Sequence, residues 1–332
     1  MKVAVTGATG HIGPNLIREL LLSGYSVRAL ALTNSDLTCL NGLPVEIIYG
    51  DVCDRNSLLH VFDGVDVVFH LAAKISIDGD RQGLVYQTNV EGVKNAAWAA
   101  LKSRIRRFIH FSSIHAFDPY PLDAEINESR QKAYHSVCTA YERTKGLGEL
   151  EIHRAIQQGL DAVILNPSGI IGSEDYAPSR MGRALRKFFQ GKVPLVPAGG
   201  FNWVDVRDVV KSSLVALEKG KTGENYILSG HWITAFEMGV IAAHIGGVSP
   251  PRAMIPTYIA PIFGSCAALV SRLSGGEPLF TSESLSTLHT YRYINNEKAR
   301  TELGFNPRPL IETLTDTYQW FLAPSHALLH HG

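Results

Sequence analysis

Three glycines spaced three residues apart separate a short apolar run from a longer amphipathic one at the start of the chain. Gly7 allows a tight turn, Gly10 lets the backbone approach a diphosphate, and Gly13 lets a strand and a helix pack closely. The first turn of the helix that follows offers free N–H groups and a partial positive charge to an anion. A purely structural turn can use the same glycines, but their position between a first strand and a first helix is typical of a dinucleotide-binding loop. The loop therefore predicts a dinucleotide cofactor and a fold built from βαβ units.

Short β-branched runs alternate with helix-spaced apolar residues through the first half of the chain. The predicted strands are residues 2–6, 26–32, 45–49, 65–70, 107–111 and 162–166. The predicted helices are residues 12–22, 56–62, 83–101 and 135–157. Strands that alternate with helices build a parallel sheet covered on both faces. The expected fold is an α/β Rossmann fold, a doubly wound parallel sheet that binds ligands at the carboxyl ends of its strands.

The composition changes in the second half of the chain, where glycine and proline become frequent between residues 166 and 200. This pattern indicates loops that leave the sheet. A strand and a helix return over 201–217, a strand over 225–228 and a last helix over 311–321. We expect residues 1–172, completed by 201–229 and 293–323, to form the dinucleotide-binding domain. Residues 173–200 and 230–292 are expected to form a smaller, mostly helical substrate lobe. Its large apolar side chains suit a core and an apolar ligand: Tyr176, Met181, Phe188, Phe189, Trp232, Phe236 and Phe263.

Charge and cysteine content exclude several classes of protein. The 332 residues carry 31 basic and 31 acidic side chains, so no electrostatic attraction to nucleic acid or an anionic membrane is expected. The chain has no predicted leader, and its most apolar later stretch, residues 258–270, is too short to span a bilayer. The His-rich tail over 325–332 is interpreted as a loose terminus rather than a metal site. We expect a cytoplasmic protein without a metal ion, whose cysteines are reduced thiols: Cys39, Cys53, Cys138 and Cys266.

A tyrosine and a lysine four residues apart form the candidate catalytic group. On a helix, Tyr141 and Lys145 share one face. A phenol is a poor acid–base group at neutral pH, and a nearby ammonium group stabilises the phenolate. Ser113, at the end of a predicted strand, can bind the same substrate oxygen as Tyr141. Tyr134 is rejected as the catalytic tyrosine because no lysine follows it one turn later.

Both sites resemble those of the extended short-chain dehydrogenases, a family that includes nucleotide-sugar epimerases and dehydratases, dihydroflavonol reductases and 3β-hydroxysteroid dehydrogenases. The segment T-G-A-T-G-H-I-G at 6–13 resembles the cofactor loop of this family. The segment Y-E-R-T-K-G-L-G-E at 141–149 resembles its Y-x-x-S-K-x-x-x-E motif. The resemblance covers nearly the whole chain and includes G-D-V at 50–52, H-L-A-A at 70–73, T-N-V-E-G at 88–92 and N-P-S-G-I-I-G at 166–172.

The resemblance implies a nicotinamide cofactor and a role for each matching residue. Asp51 is implied to accept from the adenine amine, Asn89 to brace the active site, and the turn at 166–168 to lie beside the nicotinamide. A homodimer through the predicted helices 83–101 and 135–157 is a family-level expectation. Besides Tyr141 and Lys145, the implied cofactor-binding residues are Gly7, Thr9, Gly10, His11, Ile12, Gly13, Asp51, Val52, Leu71, Ala72, Ala73, Asn89, Asn166, Pro167 and Ser168.

Two positions indicate the branch of the family. The sugar-nucleotide dehydratases carry Thr-Asp-Glu where this chain has Ser113, Ile114 and His115, so the carboxylates for dehydration are missing. The epimerases hold the substrate diphosphate with an arginine where this chain has Phe201. The dihydroflavonol-reductase and 3β-hydroxysteroid-dehydrogenase branch remains, which predicts an NAD(P)-dependent oxidoreductase for a small apolar carbonyl or alcohol. An epimerase or dehydratase and a non-catalytic dinucleotide sensor are the alternatives, and His115 is interpreted either as a loop or core histidine or as a substrate contact.

The end of the second strand decides between NAD and NADP in this family. An acidic residue there selects NAD, and an arginine selects NADP. By the family match these positions are Ala31 and Leu32, and Arg28 lies too far back to substitute. The short polar side chains at 33–35 can donate hydrogen bonds to a phosphate. The sequence therefore predicts a modest preference for NADP(H) with measurable use of NAD(H).

Overall fold

The computed structural model describes residues 1–77, 79–256, 285 and 287–323. Its strands are β1 (Lys2–Thr6), β2 (Ser26–Ala31), β3 (Val45–Tyr49), β4 (Val67–His70), β5 (Arg107–Phe111), β6 (Ala162–Pro167), β7 (Gly169–Ile171), β8 (Leu195–Pro197), β9 (Gly200–Asp205), β10 (Asn225–Leu228), β11 (His231–Thr234) and β12 (Ala253–Ile255). Seven of them form a parallel sheet in the order β3–β2–β1–β4–β5–β6–β10. The winding direction reverses between β1 and β4, which places the ligand crevice of a doubly wound sheet at their carboxyl ends.

Helices cover both faces of the sheet. They are α1 (Ile12–Leu22), α2 (Arg55–Phe62), α3 (Leu84–Tyr86), α4 (Val93–Lys102), α5 (Ala140–Gln157), α6 (Arg180–Phe189), α7 (Val206–Lys219), α8 (Ala235–Gly246), α9 (Glu297–Leu303) and α10 (Leu310–Leu322). Residues of α1 and α7 pack on one face, and residues of α2, α4 and α5 pack on the other. Every residue of β4 and β6 is buried, as a parallel sheet covered on both sides requires. The predicted α/β Rossmann fold is confirmed.

Several predicted boundaries are wrong for local reasons. Helix α5 begins at Ala140 rather than at residue 135, because the Thr139 hydroxyl and the Glu142 carboxylate cap each other's backbone N–H groups. The predicted helix over 83–101 contains a π-helical turn at Gln87–Gly92 between α3 and α4. Strand β4 begins two residues later than predicted, at Val67.

The second half of the chain supplies β10 to the large sheet and builds two small ones. These are β11–β9–β7 and β12–β8, and of their strands the sequence predicts only β9. Phe188 and Phe189 are buried in a separate core with residues of α8 and α10, and Met181 and Phe236 pack against that core. Tyr176 instead contacts Arg18 of α1. The apolar stretch over 258–270, with Phe263 and Cys266, and the tail over 325–332 lie outside the described residues.

Among the described residues, neither a membrane-spanning helix nor a cluster of metal ligands is present. Among the helices that the structure describes, none is both long and apolar enough to cross a bilayer. Within the same residues, no three His, Cys, Asp or Glu side chains are grouped as metal ligands.

Candidate active site

The glycine loop lies at the carboxyl end of β1, at the point where the strand order reverses. Gly7 has a φ of +69°, and a Cβ atom there would lie 2.7 Å from the backbone nitrogen of Ala72. A Cβ at Gly13 would lie 2.4 Å from the carbonyl oxygen of Ala8. Both positions therefore require glycine. No side chain caps the N-terminus of α1, and the ring of His11 bonds instead to the Ser173 carbonyl at 3.1 Å, so the first N–H groups of α1 suit the diphosphate of a dinucleotide.

A buried polar contact joins the glycine loop to the end of β4. The Thr6 hydroxyl lies 2.8 Å from His70 Nδ1 and accepts a hydrogen bond from the Ala72 backbone at 3.3 Å. Burial lowers the pKa of His70 to about 3, so this ring is neutral. The contact fixes the implied cofactor residues Leu71 and Ala72 beside Gly7. Sequence reasoning missed Thr6, although its place directly before the loop is a signal for such a role.

The other implied cofactor residues lie along the same edge of the sheet. Asp51 follows β3 with an exposed side chain, and its carboxylate accepts from the Cys53 backbone at 2.9 Å. Val52 is buried against Gly92, where a Cβ atom would lie 2.8 Å from its methyl group. Asn89, in the π-helical turn, is 1% exposed, exchanges hydrogen bonds with the backbone of Lys74 and donates to Thr144 of α5. Asn89 thus braces α5, which carries Tyr141 and Lys145, from the neighbouring helical segment.

Strand β5 and helix α5 bring the three candidate catalytic side chains together. Ser113 follows β5, and its hydroxyl accepts from the backbone N–H of His115 at 3.2 Å. Lys145 is 5% exposed and donates to the carbonyl of Phe111, the last residue of β5, at 3.3 Å. Its Nζ lies 6.0 Å from the centre of the Tyr141 ring. The set predicted from the sequence is therefore one cluster at the carboxyl edge of the sheet.

Burial opposes charge on both titratable members of this cluster. It raises the pKa of Tyr141 to about 12, opposite to the lowering expected from a neighbouring ammonium group, and only the Ser113 hydroxyl pulls in the downward direction. Burial also lowers the pKa of Lys145 to about 8, and the carboxylate of Glu149 partly offsets that effect. At neutral pH Tyr141 therefore holds its proton and Lys145 remains mostly charged. This is the protonation state that a proton donor to a carbonyl oxygen requires.

A fully buried carboxylate, that of Glu149, stabilises the cluster of Ser113, Tyr141 and Lys145 through its hydrogen bond with Asn166. Glu149 is 0% exposed, pairs with Lys132 at 2.5 Å and accepts from Asn166 at 2.6 Å and Asn225 at 2.9 Å. Asn166 also donates to the Ser113 carbonyl at 2.9 Å. The side chain of Asn166 is thus used inside the protein, where it holds the end of β5. Sequence reasoning missed Lys132 and Asn225, and the last letter of the Y-x-x-S-K-x-x-x-E match is the signal that points to Glu149.

The turn after β6 connects the hydrogen-bond network around Glu149 and Asn166 to the predicted substrate lobe. Pro167 is buried, and Ser168 is 8% exposed and donates its hydroxyl hydrogen to the Asn202 side chain of β9 at 2.8 Å. Asn202 also accepts from the backbone of Gly230. These bonds fix the predicted nicotinamide-side turn against the small sheet.

Fold and site together define a short-chain dehydrogenase of the extended type. The chain belongs to the NAD dependent epimerase/dehydratase family, whose sequence model matches residues 3–229. Membership confirms the resemblance inferred from the motifs and identifies the cofactor as a nicotinamide dinucleotide.

Three similar proteins extend over nearly the full chain. "Sterol demethylase protein B" of Methylococcus capsulatus is 35% identical over 97% of this chain and 98% of its own length. A "putative dihydroflavonol 4-reductase" of Synechocystis is 34% identical over 96% of this chain and 93% of its own. The crystal structure of gox2253 superposes with a TM-score of 0.83 at 31% identity, covering 96% of this chain and 97% of that one.

Proposed function

We propose that this protein is an NAD(P)-dependent oxidoreductase that interconverts a small apolar carbonyl compound and its alcohol, acting on a CH–OH group. The observation that carries this proposal is the convergence of Ser113, Tyr141 and Lys145 at the same sheet edge as the glycine loop. A nicotinamide dinucleotide held at the glycine loop would supply or accept the hydride. The protein supplies the proton, the binding of the reacting oxygen and the electrostatic environment.

Each member of the cluster has a distinct task in this mechanism. The Ser113 hydroxyl accepts from His115 N–H, which leaves its own hydrogen available for the substrate oxygen. Tyr141 donates its proton to that oxygen in reduction and accepts it in oxidation. The Lys145 ammonium stabilises the phenolate that reduction leaves behind, and we expect it also to bind the nicotinamide ribose. Phe111 and Asn166 hold the lysine and the serine at the end of β5.

The surroundings of Phe201 support an apolar substrate. This residue stands where the sugar-nucleotide epimerases have an arginine. Its ring lies 5.3 Å from the ring of Trp203 and packs beside Leu285 and Leu288. The phenylalanine ring itself offers a diphosphate no cationic partner in exchange for its lost hydration. The names of the sterol demethylase and dihydroflavonol reductase relatives agree with an apolar substrate class.

The proposal is tested by measuring cofactor turnover with a panel of carbonyl compounds and alcohols. Calorimetry with uridine- and thymidine-diphosphate sugars measures, for comparison, whether nucleotide sugars bind. We expect net turnover of added cofactor with an apolar member of the panel and no binding of the nucleotide sugars. The opposite result is micromolar binding of a nucleotide sugar, together with cofactor that survives gel filtration and shows no net turnover. That result would identify an epimerase or dehydratase instead.

We further propose a modest preference for NADP(H), which rests on the absence of an acidic residue at Ala31 and on the short polar side chains that follow β2. Arg28 donates to the carbonyls of His60, Val61 and Asp63 and pairs with Glu46, so it is not placed to serve a phosphate. The side chains at 33 and 34 are exposed beyond β2. Steady-state kinetics with both cofactors on one substrate checks this expectation. An NAD(H) preference above about tenfold in kcat/KM, about 1.4 kcal/mol, would contradict it.

A further inference from the structure

Tyr291 is a buried tyrosine that lies between the turn after β5 and the start of α5. It is 3% exposed and belongs to a small apolar core with Ile114 and Phe117 of that turn. The centre of its ring is 4.6 Å from that of His115, and the two rings meet edge-on. The imidazole in turn meets the ring of Tyr141 edge-on at 5.6 Å. His115 therefore separates two tyrosine rings, one of which belongs to the candidate catalytic group.

The hydroxyl of Tyr291 binds α5 directly. It donates to a carboxylate oxygen of Glu142 at 2.9 Å, with the carbonyl of Phe117 at 3.1 Å as a second acceptor. Burial, and after it the neighbouring Glu142 carboxylate, raises the pKa of Tyr291 well above its usual value, so the hydroxyl keeps its proton and acts as the donor. The other oxygen of Glu142 accepts from the backbone N–H of Thr139 at 2.7 Å and caps α5. One carboxylate therefore ties the first turn of α5, which contains Tyr141, to Tyr291.

The backbone of Tyr291 is held in a strained conformation. Its φ is +54°, in the left-handed region that is unfavourable for a residue with a Cβ atom. Such a conformation persists only where the surrounding contacts fix it, and in proteins these positions cluster at functional sites. The contacts that fix Tyr291 are the buried packing of its ring and the hydrogen bond to Glu142. The strain therefore coincides with the attachment of α5.

We propose that Tyr291 is a positioning residue for the reaction, which holds the hydroxyl of Tyr141 beside that of Ser113 by fixing the first turn of α5 against the turn after β5. The inference rests on the proposed function, because those two hydroxyls must reach one substrate oxygen. Tyr291 acts through Glu142 and His115 rather than on the substrate. Loss of its hydroxyl lets the first turn of α5 move, which misaligns the proton donor without removing it.

Tyr291→Phe tests this inference, because it removes the hydroxyl and keeps the ring. The probes are 4-nitrobenzaldehyde and the carbonyl compound of the panel that the wild type reduces fastest. We expect kcat to fall about tenfold, while KM and the cofactor Kd stay within about twofold of the wild type. In a Tyr141→Phe background the same substitution should lower the residual turnover by less than about twofold, because an absent donor cannot be misaligned.

Tyr226→Phe is the matched control. Tyr226 is also a fully buried tyrosine that donates to a carboxylate, that of Glu302 at 2.8 Å. It packs in the core on the face of the sheet opposite to α5. This variant loses an equivalent hydrogen bond and should keep the wild-type kcat. A comparable fall of kcat in Tyr226→Phe would contradict a specific role for Tyr291.

Glu142→Gln breaks the same link from the other side and leaves Tyr291 in place. Glutamine offers one acceptor oxygen to the two donors, so kcat should fall by a similar factor, and Tyr291→Phe should add less than about twofold to that loss. A merely structural Tyr291 would lower turnover by the same factor with and without the Tyr141 hydroxyl. That result, or full kcat in both Tyr291→Phe and Glu142→Gln, would overturn the inference while leaving the proposed function intact. The proposed function fails separately, if the wild type turns over no member of the panel.

Discussion

Tyr141→Phe is expected to lower turnover by about 10²–10⁴ while cofactor binding stays nearly intact, because the substitution removes only the proton donor. With the pKa of Tyr141 at about 12, its phenol carries the proton at neutral pH, and phenylalanine keeps the ring that packs against His115. Cofactor affinity from fluorescence titration and kcat from single-substrate kinetics measure the two quantities separately.

Tyr134→Phe is the matched control for this experiment. Tyr134 lies close to the same helix, since a Cβ at Gly146 would be 3.3 Å from its ring, but it is half exposed and has no lysine one turn later. It should keep wild-type turnover. Wild-type turnover in Tyr141→Phe, or a comparable loss in Tyr134→Phe, would contradict the assignment of the proton donor.

The parts of the site that could be predicted are those encoded by short-range patterns. Tyr141 and Lys145 follow from helical spacing, and the glycines follow from their place between a strand and a helix. The capping box of Thr139 and Glu142 was also readable, and it would have given the correct start of α5. These features depend on residues a few positions apart, so the sequence alone contains them.

The parts that could not be predicted depend on tertiary contacts. Glu142 and Tyr291 are 149 residues apart in the chain, and nothing near either residue signals their hydrogen bond. The π-helical turn faces Gly148 of α5, where a Cβ would lie 2.5 Å from the carbonyl of Asn89. The close approach of the two helices is therefore a property of their packing. The strands of the small sheets are three to six residues long, too short for a periodic pattern to identify all of them.

Lys145→Met is expected to impair function and stabilise the fold. Turnover should fall by about 10² or more, because the phenolate loses its cationic partner. Cofactor affinity should fall as well, which separates this variant from Tyr141→Phe. Lys94→Met is the control, because Lys94 is exposed on α4 and pairs only at 3.5 Å with Glu91. Unchanged cofactor affinity in Lys145→Met would exclude a contact between this lysine and the ribose.

Lys145→Met should stabilise the fold because it removes an ammonium group whose burial is unfavourable. The fall of the Lys145 pKa from 10.5 to about 8 corresponds to a cost of about 3 kcal/mol for holding the ammonium in the folded protein. Below pH 8 both the folded and the unfolded state carry the proton. Between pH 8 and 10.5 only the unfolded state keeps it, so the unfolding free energy of the wild type should rise with pH across this window. Urea denaturation without cofactor should show Lys145→Met more stable at pH 7 and lacking that rise, whereas equal pH slopes in the two proteins would show that the buried ammonium carries no such cost.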